Sequence, residues 1–553
     1  MVSVHKQQPN SNHSKHAKLA MPVAHLLALA PIDVWLRMLY GQWIHPRYWI
    51  RLLGIGFTSI IGTIWSLPER ILFGLGWWFF NKTSERFDHL PGVLVVVGYY
   101  RSGTTHAHNL LACNPNSVTP RWYQALLGQG FTFSWAVTRF LLVPFLGSSR
   151  PQDGVGFGPH WPAEDDFALA GWGMCSTLPG RLIFPHQWDR WKKWNTLEDC
   201  SEAERSRWRR TIAGFAWKVT RRNQDKLLIL KTPSHGAHIT ELVKVFGHRV
   251  RFLHVRRDPT QVIESNMRMH HALSSHLLQD PLDSTVLRDR IVHEYLDIER
   301  ATIMQSQALD EGRISFVSHE QLIRNPIKHL QESFQTLGLD FTDAHSDAII
   351  QYLASLGTYQ QPTHPTLNTG INLGTPSNTE PDAIAELLSL RPAGPTPTEP
   401  PPRQTPAARI LPQTGRGAVV AVGVAIAWGI VWLGLIWFLK QLFPDYRPRL
   451  DQLVWIGGSV IGVLAFKSSG GGSKSLGIVA AMVTLVVFVA VSFPITVINW
   501  HFAQGESLSN FLYHNTKGAL HGLLAPSSII YAILGSFTAY RHASDTGPKA
   551  PGI

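Results

Sequence analysis

Cysteine is nearly absent. Cys113, Cys175 and Cys200 are the only three in 553 residues, and no two form a C-x-x-C pair. This excludes a disulfide framework and a thiolate metal site, and it fits a reducing compartment. Charge is thin as well: charged residues make up 16%, below the usual quarter, as expected of a chain that lies partly in lipid. The basic excess of +12 is scattered, with no Lys/Arg block, zinc-finger spacing or RNP motif. Nucleic acid is therefore not an expected partner, whereas an anionic ligand or anionic lipid is. No H-E-x-x-H occurs, so no catalytic metal is expected, and His106, His108, His160, His270 and His271 read as structural. The polar stretch Met1–Ala20 carries no legible secretory leader.

What the chain has instead is apolar and aromatic, with 20 Trp and 26 Phe. Residues 1–20 read as disordered. Residues 21–90 hold apolar runs, Ile50–Trp65 and Ile71–Phe80, broken by Arg51, Pro68, Glu69 and Arg70. Each run is shorter than the roughly 20 residues a spanning helix needs. They fit either buried helices or a segment lying on a bilayer. Between residues 91 and 375 the β-rich runs Val93–Val97, Leu227–Leu230, Val250–Val255 and Ile314–Val317 alternate with helical stretches such as Thr240–Phe246 and Pro259–His270. Near-continuous apolar strands separated by helices predict an α/β domain, a doubly wound parallel sheet.

Residues 376–415 turn rich in Pro, Thr and Ser, including Pro395–Arg403, and read as a semi-extended linker. Residues 416–541 then carry four apolar runs: Ala418–Phe438, Leu453–Phe466, Leu476–Trp500 and Ala519–Tyr540. Three reach spanning length and the second is short, so three or four transmembrane helices are expected, followed by a tail over residues 542–553. If four span, Arg403, Arg409, Arg416, Lys467, Lys474, Arg541 and Lys549 share one side, against Lys440, Arg447, Arg449 and Lys517 on the other. That asymmetry places the catalytic domain in the cytoplasm of a multi-pass membrane protein.

The most informative stretch is Val93–Thr105, a run of Val and Leu followed by Gly98-Tyr-Tyr-Arg101-Ser102-Gly103-Thr104-Thr105. A buried strand, a glycine-bounded loop and a helix start present backbone N–H groups and a positive dipole end to an anion. Ser102, Thr104 and Thr105 add hydroxyl donors. The Gly98-x4-Gly103 spacing is that of a P-loop, but Thr104 stands where an ATP-binding loop has its lysine, and the cation is Arg101. This argues against a P-loop kinase-like phosphotransferase, which shares the sheet but needs that lysine and magnesium.

Strand, G-x-x-R-S-G-T-T and helix together resemble the 5′-phosphosulfate loop of the sulfotransferase superfamily, in the branch that includes tyrosylprotein sulfotransferases and many bacterial enzymes. Tyr100 stands where that branch usually has Pro. The resemblance implies a donor, 3′-phosphoadenosine 5′-phosphosulfate (PAPS), with Arg101, Ser102, Gly103, Thr104 and Thr105 on its 5′ side. It also implies a 3′-phosphate site, an Arg with a Ser eight residues later, which Arg257 and Ser265 supply. Asp258-Pro259 is a good helix start and would hold Arg257 at the helix entrance. Val317-Ser-His-Glu320-Gln-Leu322 through Pro326 resembles a late structural motif of the family.

Sulfuryl transfer needs a base on the acceptor hydroxyl and fixed cations around the developing charge. Arg101 is one cation. Lys231, in Leu-Lys231-Thr-Pro-Ser-His235 at the end of a strand, is the second, because ligands bind at strand carboxyl ends in such sheets. Two residues compete as base. Glu164, in Pro162-Ala-Glu164-Asp165, resembles the family's acidic base region, and His235 offers an imidazole. The acceptor is not legible, although the apolar segments make an amphiphilic or lipid alcohol the expectation. A catalytically inactive nucleotide-binding membrane scaffold is a different class of reading, opposed by the presence of Arg101, Lys231 and Arg257 together. A transporter would need charged residues inside its spans, and the four runs hold none.

Overall fold

The computed structural model describes residues 25–77, 87–132, 156–356, 380–389, 414–442, 452–469, 473, 475–488, 532–533 and 535–540. Its centre is a five-stranded sheet in the order β2-β3-β1-β4-β5, with every pairing parallel. The strands are β1 (Val93–Gly98), β2 (Ser117–Val118), β3 (Leu227–Lys231), β4 (Val250–Arg256) and β5 (Ile314–Ser318). All residues of β1 and β3 are buried, as befits strands covered on both faces, whereas the edge strand β5 alternates. Four of the five follow the apolar runs of the sequence, each extended by one residue. The two-residue β2 has no such run to reveal it.

The helices that matter for the site are α3 (Thr104–Leu111), α4 (Glu202–Thr220), α5 (Ile239–Phe246), α6 (Pro259–Ala272) and α7 (Ser284–Ser306). Ser201 caps α4 in a reciprocal box with Glu204, and Asp258 caps α6 by accepting from the Gln261 N–H, with Pro259 at the first helical position. The strand order places β1 between β3 and β4, with Val96 beside Lys231 and Gly98 beside Val255. Chain direction thus changes sides across β1, and the loops leaving β1, β3 and β4 share one edge of the sheet. Open parallel sheets bind their ligands in that crevice.

The amino-terminal region differs from its expectation. Two apolar runs with breaks between them were expected, but the chain forms α1 (Ile32–Leu39) and then one unbroken helix of 29 residues, α2 (Trp49–Trp77), with Pro68 inside it. The expected breakers are absorbed by tertiary partners. Arg51 donates to the Leu277 carbonyl, Glu69 pairs with Lys218 at 2.9 Å, and Arg70 reaches Asp33 at 2.8 Å. Among the described residues one helix is long and apolar enough to cross a membrane, Pro46–Phe73, while Gly417–Val431 and Ser475–Phe488 are apolar but shorter. The helices α8 (Thr414–Leu442) and α9 (Gln452–Ser469) contain the first two carboxyl-terminal runs. Residues 1–20, the segment Pro395–Arg403, the end of the third run and most of the fourth lie outside the described residues.

Candidate active site

The loop after β1 is shaped by three left-handed residues. Gly98 has φ +149° and Gly103 φ +96°, and between them Arg101 sits at φ +71°. A Cβ on Gly98 would come 2.5 Å from the Val255 carbonyl oxygen, and one on Gly103 would come 2.3 Å from His319 Nδ1. Both positions therefore require glycine for space as well as for φ. Arg101 has no such freedom. A non-glycine residue in this region carries strain of about 1–3 kcal/mol, which tends to collect at functional sites. The turn closes with the Ser102 N–H donating to the Tyr99 carbonyl at 3.1 Å, and α3 begins directly after Gly103. Ser102 Oγ is buried and has no hydrogen-bond partner among the described residues. An orphaned hydroxyl beside a helix start in a tight loop fits an anionic ligand oxygen.

The predicted second half of the site meets this loop in space. Arg101 Nε donates to Ser265 Oγ at 3.1 Å, and Arg257 Nη1 donates to the Arg101 carbonyl at 3.3 Å. Arg257 is half-buried and also donates to Gln261 Oε1 at 3.3 Å. Burial, with Arg101 and Arg268 nearby, lowers its pKa from the ordinary guanidinium value. An anion beside it would reverse that effect, since opposite charge favours the charged form.

On the other side of α3, Lys231 is buried at the end of β3, with Nζ 3.3 Å from Thr105 Oγ1 and paired with the Glu164 carboxylate. Glu164 is the one residue from Trp161 to Ala170 that is not buried. Its neighbours are tied down behind it. Asp165 accepts from the Lys231 N–H at 3.1 Å and from His235 Nε2 at 2.5 Å, and the Asp166 N–H donates to Thr232 Oγ1 at 3.0 Å. Burial alone would push the Asp165 carboxyl up. The His235 charge and the hydrogen bonds from its ring and the backbone outweigh burial and hold it below the usual aspartate range.

His235 itself is fully buried and has both ring nitrogens engaged, one by Asp165 and the other 3.2 Å from His238 Nδ1. His238 Nε2 meets the carbonyls of Trp194 and Asn195 at 3.0 and 2.9 Å, and burial drives its pKa down to about 3. The ring of Trp208 lies across both histidines, at 5.6 and 5.1 Å. Of the two candidate bases, Glu164 is half-open and His235 is sealed behind Asp165.

A cluster that sequence reasoning missed lies under Tyr100. The Arg181 guanidinium stacks 3.5 Å from the centre of the Tyr100 ring and pairs with Glu294 at 3.3 Å. Tyr100 Oη donates to Ser234 Oγ at 3.4 Å, and its carbonyl accepts from Asn266 Nδ2 at 2.7 Å. Burial pushes the Asp166 carboxyl up to about 7, with Glu164 and Asp165 adding to the rise and a hydrogen bond from Ser176 opposing it. The one signal in the sequence was Tyr100 itself, standing where the resembling loops have Pro. Arg181 carried none. Among the described residues no three His, Cys, Asp or Glu side chains form a metal-holding group.

Comparison with known proteins agrees with this chemistry. Residues 158–343 match the sulfotransferase family. Two mycobacterial proteins, the omega-hydroxy-beta-dihydromenaquinone-9 sulfotransferases Stf3 of Mycobacterium bovis and Mycobacterium tuberculosis, are each 29% identical to the chain over 332 residues. The match covers 59% of this chain and 82% of theirs. The crystal structure of sulfotransferase STF1 from M. tuberculosis covers 58% of this chain and 85% of its own, at 15% identity and a TM-score of 0.43. The fold is a parallel α/β sheet with a glycine-bounded loop at its switch point. The matches place residues 158–343 in the sulfotransferase family and support a sulfotransferase enzyme.

Proposed function

We propose that the enzyme takes a sulfuryl group from PAPS and transfers it to the hydroxyl of an amphiphilic, lipid-like acceptor. One observation carries this reading: residues far apart in sequence converge on the β1 loop and the start of α3. Arg257 and Ser265 meet Arg101, and Lys231 meets Thr105 and Glu164. In this reading Ser102, Gly103, Thr104 and Thr105 hold the 5′ side of the donor through backbone N–H groups and hydroxyls, with Ser102 Oγ filling its missing partnership. Arg257 and Ser265 hold the 3′-phosphate.

The geometry supports a role for each residue. Glu164 accepts the proton of the acceptor hydroxyl as the oxygen forms its bond to sulfur and the bond from sulfur to the phosphate oxygen breaks. Lys231 and Arg101 stabilise the charge that grows on the bridging oxygen and the sulfuryl oxygens. Asp165 and His235 serve as positioning groups. Asp165 grips the Lys231 backbone with one oxygen and His235 with the other, and so fixes the strand end that carries Lys231. The chemistry assigned to these residues calls on no metal.

The lipid-like acceptor is supported by the apolar composition and by the named acceptor of the Stf3 relatives, a menaquinone derivative. With it goes the arrangement read from the sequence: a catalytic domain over residues 91–375, a linker over 376–415 and membrane helices within 416–541, with the catalytic domain cytoplasmic. The test is calorimetric titration of the full chain in detergent with adenosine 3′,5′-bisphosphate, with ATP–magnesium as competitor. Micromolar binding of the bisphosphate, undisturbed by ATP–magnesium, supports the reading. Preference for ATP–magnesium overturns it in favour of a kinase-like phosphotransferase.

A further inference from the structure

The helix α2 is built inside out. A surface helix of a water-soluble domain buries its apolar stripe and exposes its polar one. Here the buried face is small and polar: Ser59, Gly62, Ser66 and Glu69, with Ile55 as its large apolar member. Ser59 Oγ donates to the Ala30 carbonyl at 2.7 Å, and Thr63 Oγ1 accepts from the Ile32 N–H at 2.8 Å. Gly62 packs so closely that a Cβ would lie 2.1 Å from the Leu29 oxygen. Glu69 forms its buried pair with Lys218 of α4.

The outward face is the apolar one. Ile50, Leu53, Phe57, Ile60, Ile64, Leu67 and Ile71 recur at helical spacing along it, with Ile50 85%, Phe57 69% and Ile64 67% exposed. From Leu53 to Leu72 no exposed residue carries a charge. At a rise of about 1.5 Å per residue, that is a stripe about 30 Å long. Isolated exposed apolar residues need no explanation, but a continuous stripe marks an interaction surface. At its amino-terminal end stand exposed Tyr40, Trp43 and Trp49, the residue types that settle at the headgroup level of membranes. The charges of the Pro46–Trp77 stretch stay off the stripe: Arg47 pairs with Asp280, Arg51 donates to the Leu277 carbonyl, Arg70 reaches Asp33, and the single acid, Glu69, is turned inward to Lys218.

We propose that α2 lies in the plane of a lipid bilayer, its apolar stripe sunk among the acyl chains and its small polar face clamped to the catalytic domain. Length alone would let it cross, but its attachment does not. It is held to the domain by Arg51, bonded to the Leu277 carbonyl, by Ser66 against Gly130, by Glu69 on Lys218 and by Phe73, whose ring meets Trp217 edge-on at 5.4 Å, while Ser59 ties it to Ala30 of the amino-terminal segment. A helix fastened along its length to a domain with buried charges cannot enter the hydrocarbon core end-on, where every polar group it carries along would lose its water. The catalytic domain is thereby held flat against the membrane. The site is tied to that surface through a short path, because the segment from Glu164 leads to Gly171, which packs against Ala30, the acceptor of the Ser59 bond.

The test reads depth and needs no activity, so its outcome is separate from that of the sulfotransfer reading. Leu53→Cys, Phe57→Cys, Ile64→Cys and Ile71→Cys are each made in the full chain, with Val286→Cys on α7 as an exposed control. The three native cysteines are buried, so an environment-sensitive label goes to the new one. The labelled proteins are reconstituted into phosphatidylcholine–phosphatidylglycerol vesicles carrying nitroxide lipids at two depths. The expected result is a similar depth for all four, about 5–10 Å below the headgroups, and no quenching at Val286→Cys. A depth that runs from one leaflet to the other along the helix overturns the in-plane seating. Quenching no greater than the control at all four overturns the lipid occupant, and cross-linking from Phe57→Cys then shows whether a second copy or the chain's own carboxyl-terminal helices cover the stripe. Any variant whose thermal unfolding departs from wild type is replaced by its exposed neighbour, Ile50→Cys or Ile60→Cys.

Discussion

Arg101 Nε donates to Ser265 Oγ at 3.1 Å, although 164 positions separate the two residues. The bond holds a guanidinium from the β1 loop against the first turns of α6, with Arg257 closing the triangle onto the Arg101 carbonyl. Substitution should therefore be felt at both ends of the donor. Arg257→Ala removes a charge-assisted contact of about 1.5–3 kcal/mol, so the dissociation constant for adenosine 3′,5′-bisphosphate is expected to rise about 10- to 100-fold. Ser265→Ala removes a hydroxyl contact to charged groups of about 1.5 kcal/mol, or about tenfold, and also unfastens Arg101, so turnover falls along with affinity. Calorimetry beside single-turnover rates checks both. Unchanged affinity in Arg257→Ala would remove that residue from the donor site.

Glu164 and His235 separate cleanly by mutation. Glu164→Gln is expected to lower kcat by about 10²–10⁴-fold, the range for loss of a general base, with bisphosphate affinity retained. His235→Asn leaves the buried Asp165 carboxylate without the hydrogen bond of the His235 ring, and an unsatisfied buried charged acceptor costs about 1–3 kcal/mol or more. Its signature is a lowered unfolding midpoint, with residual activity in whatever fraction stays folded. The opposite pattern, a stable but inactive His235→Asn beside an active Glu164→Gln, would make His235 the base.

Asp166 gives a dependence of stability on pH. Its pKa rises to about 7 in the folded state through burial, while the unfolded chain keeps the ordinary value near 3.9. Between those two values the folded state binds the extra proton. Its stabilising contribution is therefore complete below about pH 4 and is lost as pH rises through 7. The slope is about 1.4 kcal/mol per pH unit over that interval. Asp166→Asn should flatten the wild-type fall in unfolding midpoint between pH 5 and 7, as followed by circular dichroism.

Gly103 and Gly247 make a matched pair. Both have positive φ, +96° and +66°, but a Cβ on Gly103 would strike His319 Nδ1, while one on Gly247 meets nothing within 4 Å. Gly247→Ala should cost only the backbone term, about 1–3 kcal/mol at its φ +66°, ψ −147°. Gly103→Ala should cost more, and should also abolish bisphosphate binding by reshaping the loop. Equal losses in denaturant unfolding, with binding intact in both, would show that the loop tolerates displacement of His319.

Much of the site could be read from order along the chain. β1, β3 and β4 stand out as Val- and Leu-rich runs because strands buried on both faces need them. The loop glycines stand out because only glycine fits those φ angles and approaches, and Arg257 and Asp258 because a helix start announces itself. The direct pairing of Lys231 with Glu164 could not be read, since it depends on where the Trp161–Ala170 segment returns to the sheet. Nor could the cluster of Arg181, Glu294 and Tyr100, whose members lie on three separate stretches of chain.

The sequence by itself determined the parallel α/β plan and the glycine-bounded loop after β1, because both rest on local periodicity, glycine conformation and helix starts. Only the tertiary structure decided which carboxylate is open to the crevice, since Asp165 turns inward to His235 and leaves Glu164 half-exposed beside Lys231. It decided the amino-terminal region as well. Arg51, Glu69 and Arg70 read as breaks until their partners on distant segments are known, and a charge with a partner in place no longer interrupts a helix. The direction in which the apolar side of α2 points was likewise settled by packing, because the small residues opposite it let the Leu29–Ala30 segment and Gly130 come close.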